Sequence, residues 1–204
     1  MRSQPSRGQN QTLRIIGGQW RGRKLSFPEA NGLRPTSDRV RETLFNWLAP
    51  RLTGARCLDL FAGSGALGIE ALSRGAAHCD FVEAEPRAVQ AINGHLNTLS
   101  AADRGHCHSG SALSFLATAD NYDIIFIDPP FAAGMAPAVL SAILTRDCLA
   151  ADGRIYLEQA KDDNSVLDAR FEVMRDKFAG EVHFRLLCVA EQAGGAFVDC
   201  PELV

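Results

Sequence analysis

The chain has 204 residues and a mass of 22.0 kDa, enough for one domain of ordinary size with a small appendage. With 46% hydrophobic and 22% charged residues it reads as globular rather than disordered or fibrous, and no apolar run approaches the roughly 20 residues of a membrane span. The net charge of -3 hides an asymmetry: residues 1–56 hold 11 Lys+Arg against 3 Asp+Glu, whereas residues 57–204 hold 10 against 21. A basic arm on an acidic body points to an anionic partner, most naturally nucleic acid. No apolar secretion core opens the chain, so a cytoplasmic location without membrane attachment is expected. The six cysteines, at 57, 79, 107, 148, 188 and 200, form no CxxC pair and read as reduced, mostly buried thiols.

Residues 1–12 are polar, basic and aperiodic, and read as a flexible tail. Residues 13–27 place two short apolar stretches around a glycine-rich basic turn, the pattern of a small hairpin. Asn31-Gly32 and Pro35 mark a loop. Ser37 or Asp38 can cap a helix to about Leu48, with Val40, Leu44, Trp47 and Leu48 at helical spacing and Pro50 expected just past its end. From Arg56 onward, strands alternate with helices. CLDLFA, HCDFVEA, GHCHSG, YDIIFID and GRIYLEQ read as strands; helices are expected near 66–74, 86–99, 111–116 and 137–144. FEVMRDKFA and VHFRLLCVAE leave no room for a helix between them and should pair antiparallel. The result is an α/β, Rossmann-like fold: a seven-stranded mixed sheet ending in an antiparallel hairpin. The expected organisation is a tail at 1–12, a hairpin-and-helix extension at 13–50, and the Rossmann-like domain at 51–204.

DLFAGSGALG, Asp59 to Gly68, ends the first core strand and opens a helix. Gly63, Gly65 and Gly68 satisfy G-x-G-x-x-G, a turn that brings backbone and helix N-terminus close to a ligand. Glu83 ends the next strand, where a carboxylate can accept from both ribose hydroxyls. Asp59 would repel a pyrophosphate and favour a cationic ligand such as S-adenosylmethionine, with its ammonium and sulfonium. The D-x-F-x-G-x-G pattern resembles the first motif of Rossmann-like methyltransferases. An NAD-dependent oxidoreductase would share the glycines and Glu83 but leave Asp59 unexplained.

IDPPF, Ile127 to Phe131, ends the fourth strand and is the most specific signal. It resembles the [DNS]-P-P-[FYW] motif of enzymes that methylate nitrogen on planar groups. Such an amine is a poor nucleophile because its lone pair is delocalised. Asp128 can accept one N–H and the Pro129 carbonyl the other, turning the lone pair toward the methyl group. Pro130 restricts the residue before it, and Phe131 offers a face for an extruded base. Catalysis is then mainly positioning for in-line displacement. The histidines at 78, 95, 106, 108 and 183 show no ligand-like spacing with neighbouring carboxylates. No metal is expected, and His106-Cys107-His108 reads as structural.

RIIGGQWRGRKL, LRPTSDRVRETLFNWL, DLFAGSGALGIEALSRGA, FVE and DPPF together resemble the RsmD family, bacterial 16S rRNA (guanine-N2)-methyltransferases, over about Arg14 to Ala190. The resemblance implies S-adenosylmethionine-dependent methylation of the guanine numbered 966 in 16S rRNA. It also implies action on the small ribosomal subunit or a late assembly intermediate, with ribosomal protein contacts, by a monomer. Carried over by motif, Asp128, Pro129, Pro130 and Phe131 form the target-base site. Asp59, Phe61, Gly63, Ser64, Gly65, Glu83 and Ala84 hold the cofactor, Asp128 borders it, and Ser111 and Ala112 sit where the adenine is read. Arg14, Trp20, Arg21, Arg23 and Lys24 are candidates for RNA contact, with packing of the hairpin onto the body as the alternative for Trp20; Arg34, Thr36, Asp38, Arg39 and Arg41 belong to an N-terminal motif beside the pocket, and of these Arg34, Thr36, Arg39 and Arg41 are further candidates for RNA contact. Phe45, Trp47 and Leu48 read as core. A DNA adenine methyltransferase would need a target-recognition domain that the chain has no room for, and the basic N-terminus sets it apart from a protein-glutamine methyltransferase. The intact DPPF argues against a non-catalytic assembly factor.

Overall fold

The computed structural model describes residues 10–28, 37–130 and 134–190. Arg34, Thr36 and Phe131 lie outside these residues, as do residues 1–9 and 191–204. Seven strands form one mixed sheet: β3 (Arg56–Asp59), β4 (His78–Glu83), β5 (Gly105–Ser109), β6 (Tyr122–Ile127), β7 (Leu149–Ala160), β8 (Phe171–Ala179) and β9 (Val182–Val189). Their order is β5-β4-β3-β6-β7-β9-β8, and only the pairs made by β9 are antiparallel. The expected doubly wound sheet with a terminal hairpin is therefore what the chain builds. Helices α2 (Ala66–Ser73), α3 (Pro86–Thr98), α4 (Ala112–Leu116) and α5 (Ala136–Arg146) supply the crossovers. Buried side chains form a core on each face: Cys57, Phe81, Ile124 and Phe126 on one side, Leu58, Val82, Ile125 and Ile127 on the other. That division follows from the two-residue period of a strand. Among the described residues no helix is long and apolar enough to cross a membrane.

The N-terminal extension differs from expectation in three ways. First, β1 (Asn10–Arg14) pairs with β2 (Lys24–Pro28), so the chain is already ordered at Asn10 inside the expected tail. Second, helix α1 (Asp38–Leu52) continues past Pro50. Pro50 removes one N–H from the helix ladder, but both Pro50 and Asn46, whose carbonyl would have received it, face solvent. Burial of Leu52 outweighs that loss, at about 1.5–3 kcal/mol for a leucine. The expected boundary at residue 50 thus falls inside a helix. Third, Leu13, Ile15, Trp20, Leu25 and Phe27 join Leu44, Phe45, Leu48 and the sheet residues in a single core. Ser37 is the helix cap, its hydroxyl accepting the Val40 N–H at 3.3 Å.

Glu70, on α2, fastens the extension to the sheet. Its carboxylate is 1% exposed as a residue and accepts the backbone N–H groups of Ile16 (2.8 Å) and Gly17 (2.7 Å). Arg74 donates to it at 2.7 Å, and buried Arg41 on α1 lies 3.5 Å away. One turn on, the Ser73 hydroxyl donates to the Gly17 carbonyl at 2.6 Å and accepts the Trp20 N–H at 3.1 Å. Gly18, at φ +75°, runs so close to α2 that a Cβ there would sit 1.8 Å from the Ser73 carbonyl oxygen.

The parallel pairing of β4 with β5 also produces a cluster that spacing along the chain conceals. Asp80 accepts from His108 at 2.8 Å and from the Tyr122 hydroxyl at 2.8 Å, with His78 at 3.2 Å. The ligand-type atoms of His78, Asp80 and His106 all lie within 4.8 Å of one another. The histidines thus do meet a carboxylate: His108 from the neighbouring strand, and His78 from two residues before Asp80 on the same strand. His108 and Tyr122 hold the Asp80 carboxyl below its ordinary range despite burial. The five cysteines among the described residues are free thiols.

Removing the Glu70 carboxylate takes the closest charge from Arg74 and one of two carboxylates from buried Arg41, and leaves the Ile16 and Gly17 N–H groups without their acceptor. Glu70→Ala should cost about 3–5 kcal/mol in urea unfolding, the penalty for breaking a buried ion pair, and Glu70→Gln less, because its amide oxygen keeps an acceptor for one of the two N–H groups. Equal losses in both variants would show that the lost charge carries the whole cost and that the retained amide oxygen contributes nothing.

Candidate active site

The C-terminal ends of β3, β4, β6 and β7 open into one cleft of ≈ 1550 Å³. A ligand pocket for a single small molecule usually occupies roughly 300–1,000 Å³, so there is room for a cofactor and part of a second substrate. The glycine turn forms its floor. Gly63 and Gly65 adopt φ +52° and +78°, and Gly65 is the N-cap of α2. A Cβ on Gly65 would meet the Ile69 side chain at 2.9 Å, and one on Gly68 would meet the Phe81 ring at 2.2 Å. The first two glycines make the turn, and the third lets α2 lie against β4.

Two carboxylates hold this turn. Glu83 accepts the Gly63 N–H at 2.7 Å and the Glu85 N–H at 2.8 Å. Asp59 accepts the Gly68 N–H at 3.0 Å. Asp59 is fully enclosed, and burial pushes its carboxyl up to about 7, with the charges of Asp128 and Glu83 adding to the effect and the Gly68 N–H opposing it. The cleft thus concentrates acidic groups around a backbone cradle. That field suits a ligand with positive charge and disfavours a pyrophosphate.

Of the cofactor-site residues expected from the sequence, Asp59, Phe61, Gly63, Ser64, Glu83, Ala84, Ser111, Ala112 and Asp128 all line the cleft, and Gly65 caps the helix at its floor. Ser111 also caps α4, its hydroxyl accepting the Ser114 N–H at 3.2 Å. Pro129 and Pro130 line the same cleft beside Asp128. The D-P-P segment and the glycine turn therefore border one space.

The basic residues divide. Arg39 lines the cleft. Arg14, Arg21, Arg23 and Lys24 are exposed on the hairpin, but its turn is anchored at Ser73, the end of α2 away from the cleft. Trp20 and Arg41 are 7% and 1% exposed and are not available to stack on or pair with RNA. Trp20 packs beneath the hairpin with the Arg104 guanidinium 5.5 Å over its ring. Arg41 donates to the Arg14 carbonyl and to Asp38 and neighbours Glu70. Both residues were candidates because of their type; the apolar spacing of the hairpin and the burial of α1 claim them for the core.

Sequence reasoning assigned no role to the β7–β9 end of the cleft. Glu158 lines it, as do Lys177, Phe178, Glu181 and Val182 around the β8–β9 turn. Phe178 is 58% exposed and stacks on His183 at 4.2 Å between ring centres. An aromatic beside a lysine at a glycine-tipped turn was the available signal. Glu158 is 4% exposed, and burial pushes its carboxyl up to about 8, with the Asp128 charge as second cause.

A family model described as Conserved hypothetical protein 95 matches residues 13–188. Ribosomal RNA small subunit methyltransferase D of Escherichia coli (strain K12) is 45% identical over 184 residues, spanning 89% of this chain and 92% of that protein. The chain belongs to the RsmD family. The Haemophilus influenzae protein of the same name is 40% identical over 178 residues, covering 85% of this chain and 92% of its own. The solved structure of the Escherichia coli protein yhhF superposes with a TM-score of 0.82 at 42% identity, over 89% of this chain and 100% of that one. The fold extends further: the SAH-bound Podospora anserina methyltransferase PaMTH1 superposes with a TM-score of 0.61 at 15% identity, over 74% of this chain and 79% of that one. The RsmD-family chain is thus a Rossmann-like methyltransferase.

A ligand carrying an ammonium group prefers ionised Asp59, and the ionised fraction falls as pH drops through about 7. Affinity for S-adenosylhomocysteine should weaken on the order of tenfold between about pH 7.5 and pH 6, measured calorimetrically, and Asp59→Asn should flatten the profile. An unchanged slope in that variant would remove Asp59 from ligand binding.

Proposed function

We propose that this RsmD-family chain transfers the methyl group of S-adenosylmethionine to the exocyclic N2 of a guanine in 16S rRNA, within the small ribosomal subunit or a late assembly intermediate. The observation that carries the reading is that Asp128 and Pro129 line the same cleft as the glycine turn. The names of its relatives supply the rRNA class.

The residues fit the cofactor. Glu83, at the end of β4, faces the cleft where ribose hydroxyls would lie; the glycine turn leaves room for backbone approach; and Asp59 adds negative charge beneath it. Bound there, the cofactor supplies an electrophilic methyl group on a sulfonium. The protein's own work is to hold the nucleophile. Asp128 accepts one amine hydrogen and the Pro129 carbonyl the other, which draws the nitrogen lone pair out of conjugation and aims it along the displacement axis. On methylation the amine would give up one proton, to Asp128 or to water. Arg39 at the cleft rim and the exposed basic hairpin residues offer phosphate contacts at two separate places. The chain acts as a monomer in the cytoplasm and draws part of its specificity from ribosomal protein surface. An NAD-dependent oxidoreductase is disfavoured by Asp59, Glu83 and Asp128 around the glycine turn, whose negative charges would repel a pyrophosphate.

Incubation with radiolabelled S-adenosylmethionine and 30S particles from cells lacking the endogenous enzyme should place label on one guanine as N2-methylguanosine by mass spectrometry. Label confined to protein or to adenine would overturn the substrate. Asp128→Ala should lower kcat roughly 10²–10³-fold, as for loss of an oriented group at the reacting centre, while S-adenosylhomocysteine still binds. A variant that methylates at the normal rate would remove Asp128 from the chemistry.

A further inference from the structure

We propose that Glu158 is the specificity-determining residue for the base: it accepts the N1–H of the target guanine beside the N2 amine held at Asp128. The inference rests on the proposed function and asks what makes that site choose guanine. Asp128 and Pro129 explain only why the substrate carries a planar amine. Adenine, cytosine and a glutamine amide carry one too.

The sheet register places the second group. Ile127 of β6 pairs with Leu157 of β7, so the next residues, Asp128 and Glu158, stand side by side on neighbouring strands. Strands lie about 4.8 Å apart, so both carboxylates can reach adjacent atoms of one base. The preceding pair shows which way they face. Phe126 and Tyr156 share the core beneath α1, and Glu158, two residues past Tyr156, lies on that same face. The Tyr156 hydroxyl donates to Oε2 of Glu158 at 2.7 Å, fixing the carboxyl rotamer. Oε1 makes no hydrogen bond among the described residues, and Glu158 lines the cleft. A carboxyl that is 4% exposed and held by a single tyrosine serves the fold poorly, since an apolar side chain would fill that place at less cost.

Guanine alone among the common bases presents two adjacent donors at an amine edge, N1–H and N2–H. Asp128 and Glu158 are two adjacent acceptors. Adenine and cytosine place a ring-nitrogen lone pair beside the amine, and that lone pair would face the Glu158 oxygen. A glutamine amide has no second donor. Sites built to hydrogen-bond a group reject analogues lacking it by large factors, because the buried partner is left unpaired. The raised Glu158 carboxyl, about 8 by burial and the Asp128 charge, adds a pH signature: the ionised acceptor becomes more populated as pH rises through that range.

The test replaces the target guanine by 2-aminopurine in 30S particles assembled with a synthetic 16S segment. This base keeps the amine but presents a lone pair at N1. The wild-type protein should favour guanine at least a hundredfold in kcat/KM. Glu158→Gln can turn its amide N–H toward that lone pair, so it should narrow the ratio at least tenfold and lose the alkaline rise in the pH profile, with S-adenosylhomocysteine affinity unchanged. The same guanine to 2-aminopurine ratio in both proteins overturns the assignment. If wild type labels no guanine N2 in the particle, the underlying reading fails instead. Should Glu158→Gln not fold, Tyr156→Phe keeps the carboxyl but frees its rotamer. That variant should narrow the ratio several-fold, and an unchanged ratio again counts against Glu158.

Discussion

The buried carboxylate of Glu70 is the constraint on which the rest of the molecule depends. It collects two backbone N–H groups from the hairpin, a guanidinium from its own helix and the neighbourhood of a second guanidinium from α1. Taking such a charge out of water costs several kcal/mol unless every lone pair finds a partner. Here the partners come from three segments far apart in the chain. The charge can be buried only if the hairpin, α1 and α2 are all in place, so an apparently separate N-terminal piece becomes part of the sheet's own core. The same helix begins at the glycine turn, so the geometry of the cleft and the docking of the extension share one element.

The cleft shows the complementary use of acidic groups. Glu83 and Asp59 are held by backbone N–H groups of the loop they shape, so the cradle exists before a ligand enters it. Preformed dipoles and charges need little reorganisation during a reaction, which is where electrostatic catalysis draws its advantage. The raised Asp59 carboxyl is the cost of that arrangement. As pH climbs from about 4 to about 7 the folded protein must ionise a group that burial disfavours, and stability falls over that window until a cation offsets it.

Much of this was legible in the sequence because it depends on local chemistry. Strand–helix alternation gave the sheet, the φ-demanding glycines gave the turn, and D-P-P marked the reactive strand end. What escaped was set by contacts across the chain. Trp20 and Arg41 have the residue types of an RNA surface, and only the docking of the hairpin on α2 shows that they are buried. His106 and His108 are far from Asp80 along the chain and reach it through parallel pairing, where they join His78 of its own strand. Glu158 carries no motif of its own in the sequence; its position beside Asp128 is a matter of register, which no periodicity within one strand reveals. Pro50 followed the usual stop signal, and a buried leucine two residues on outweighed it.

Helix α2 has eight residues, about 12 Å from end to end at the α-helical rise. One end carries the cofactor turn and the other clamps the basic hairpin turn through Ser73. On the proposed function it would be a fixed spacer between the place where a methyl group is delivered and the place where a phosphate backbone is gripped. A nucleotide would be chosen partly by how far it lies along the folded RNA from that grip. Lengthening the helix by one turn would move the reading frame of the enzyme on its substrate without touching any residue that contacts the base.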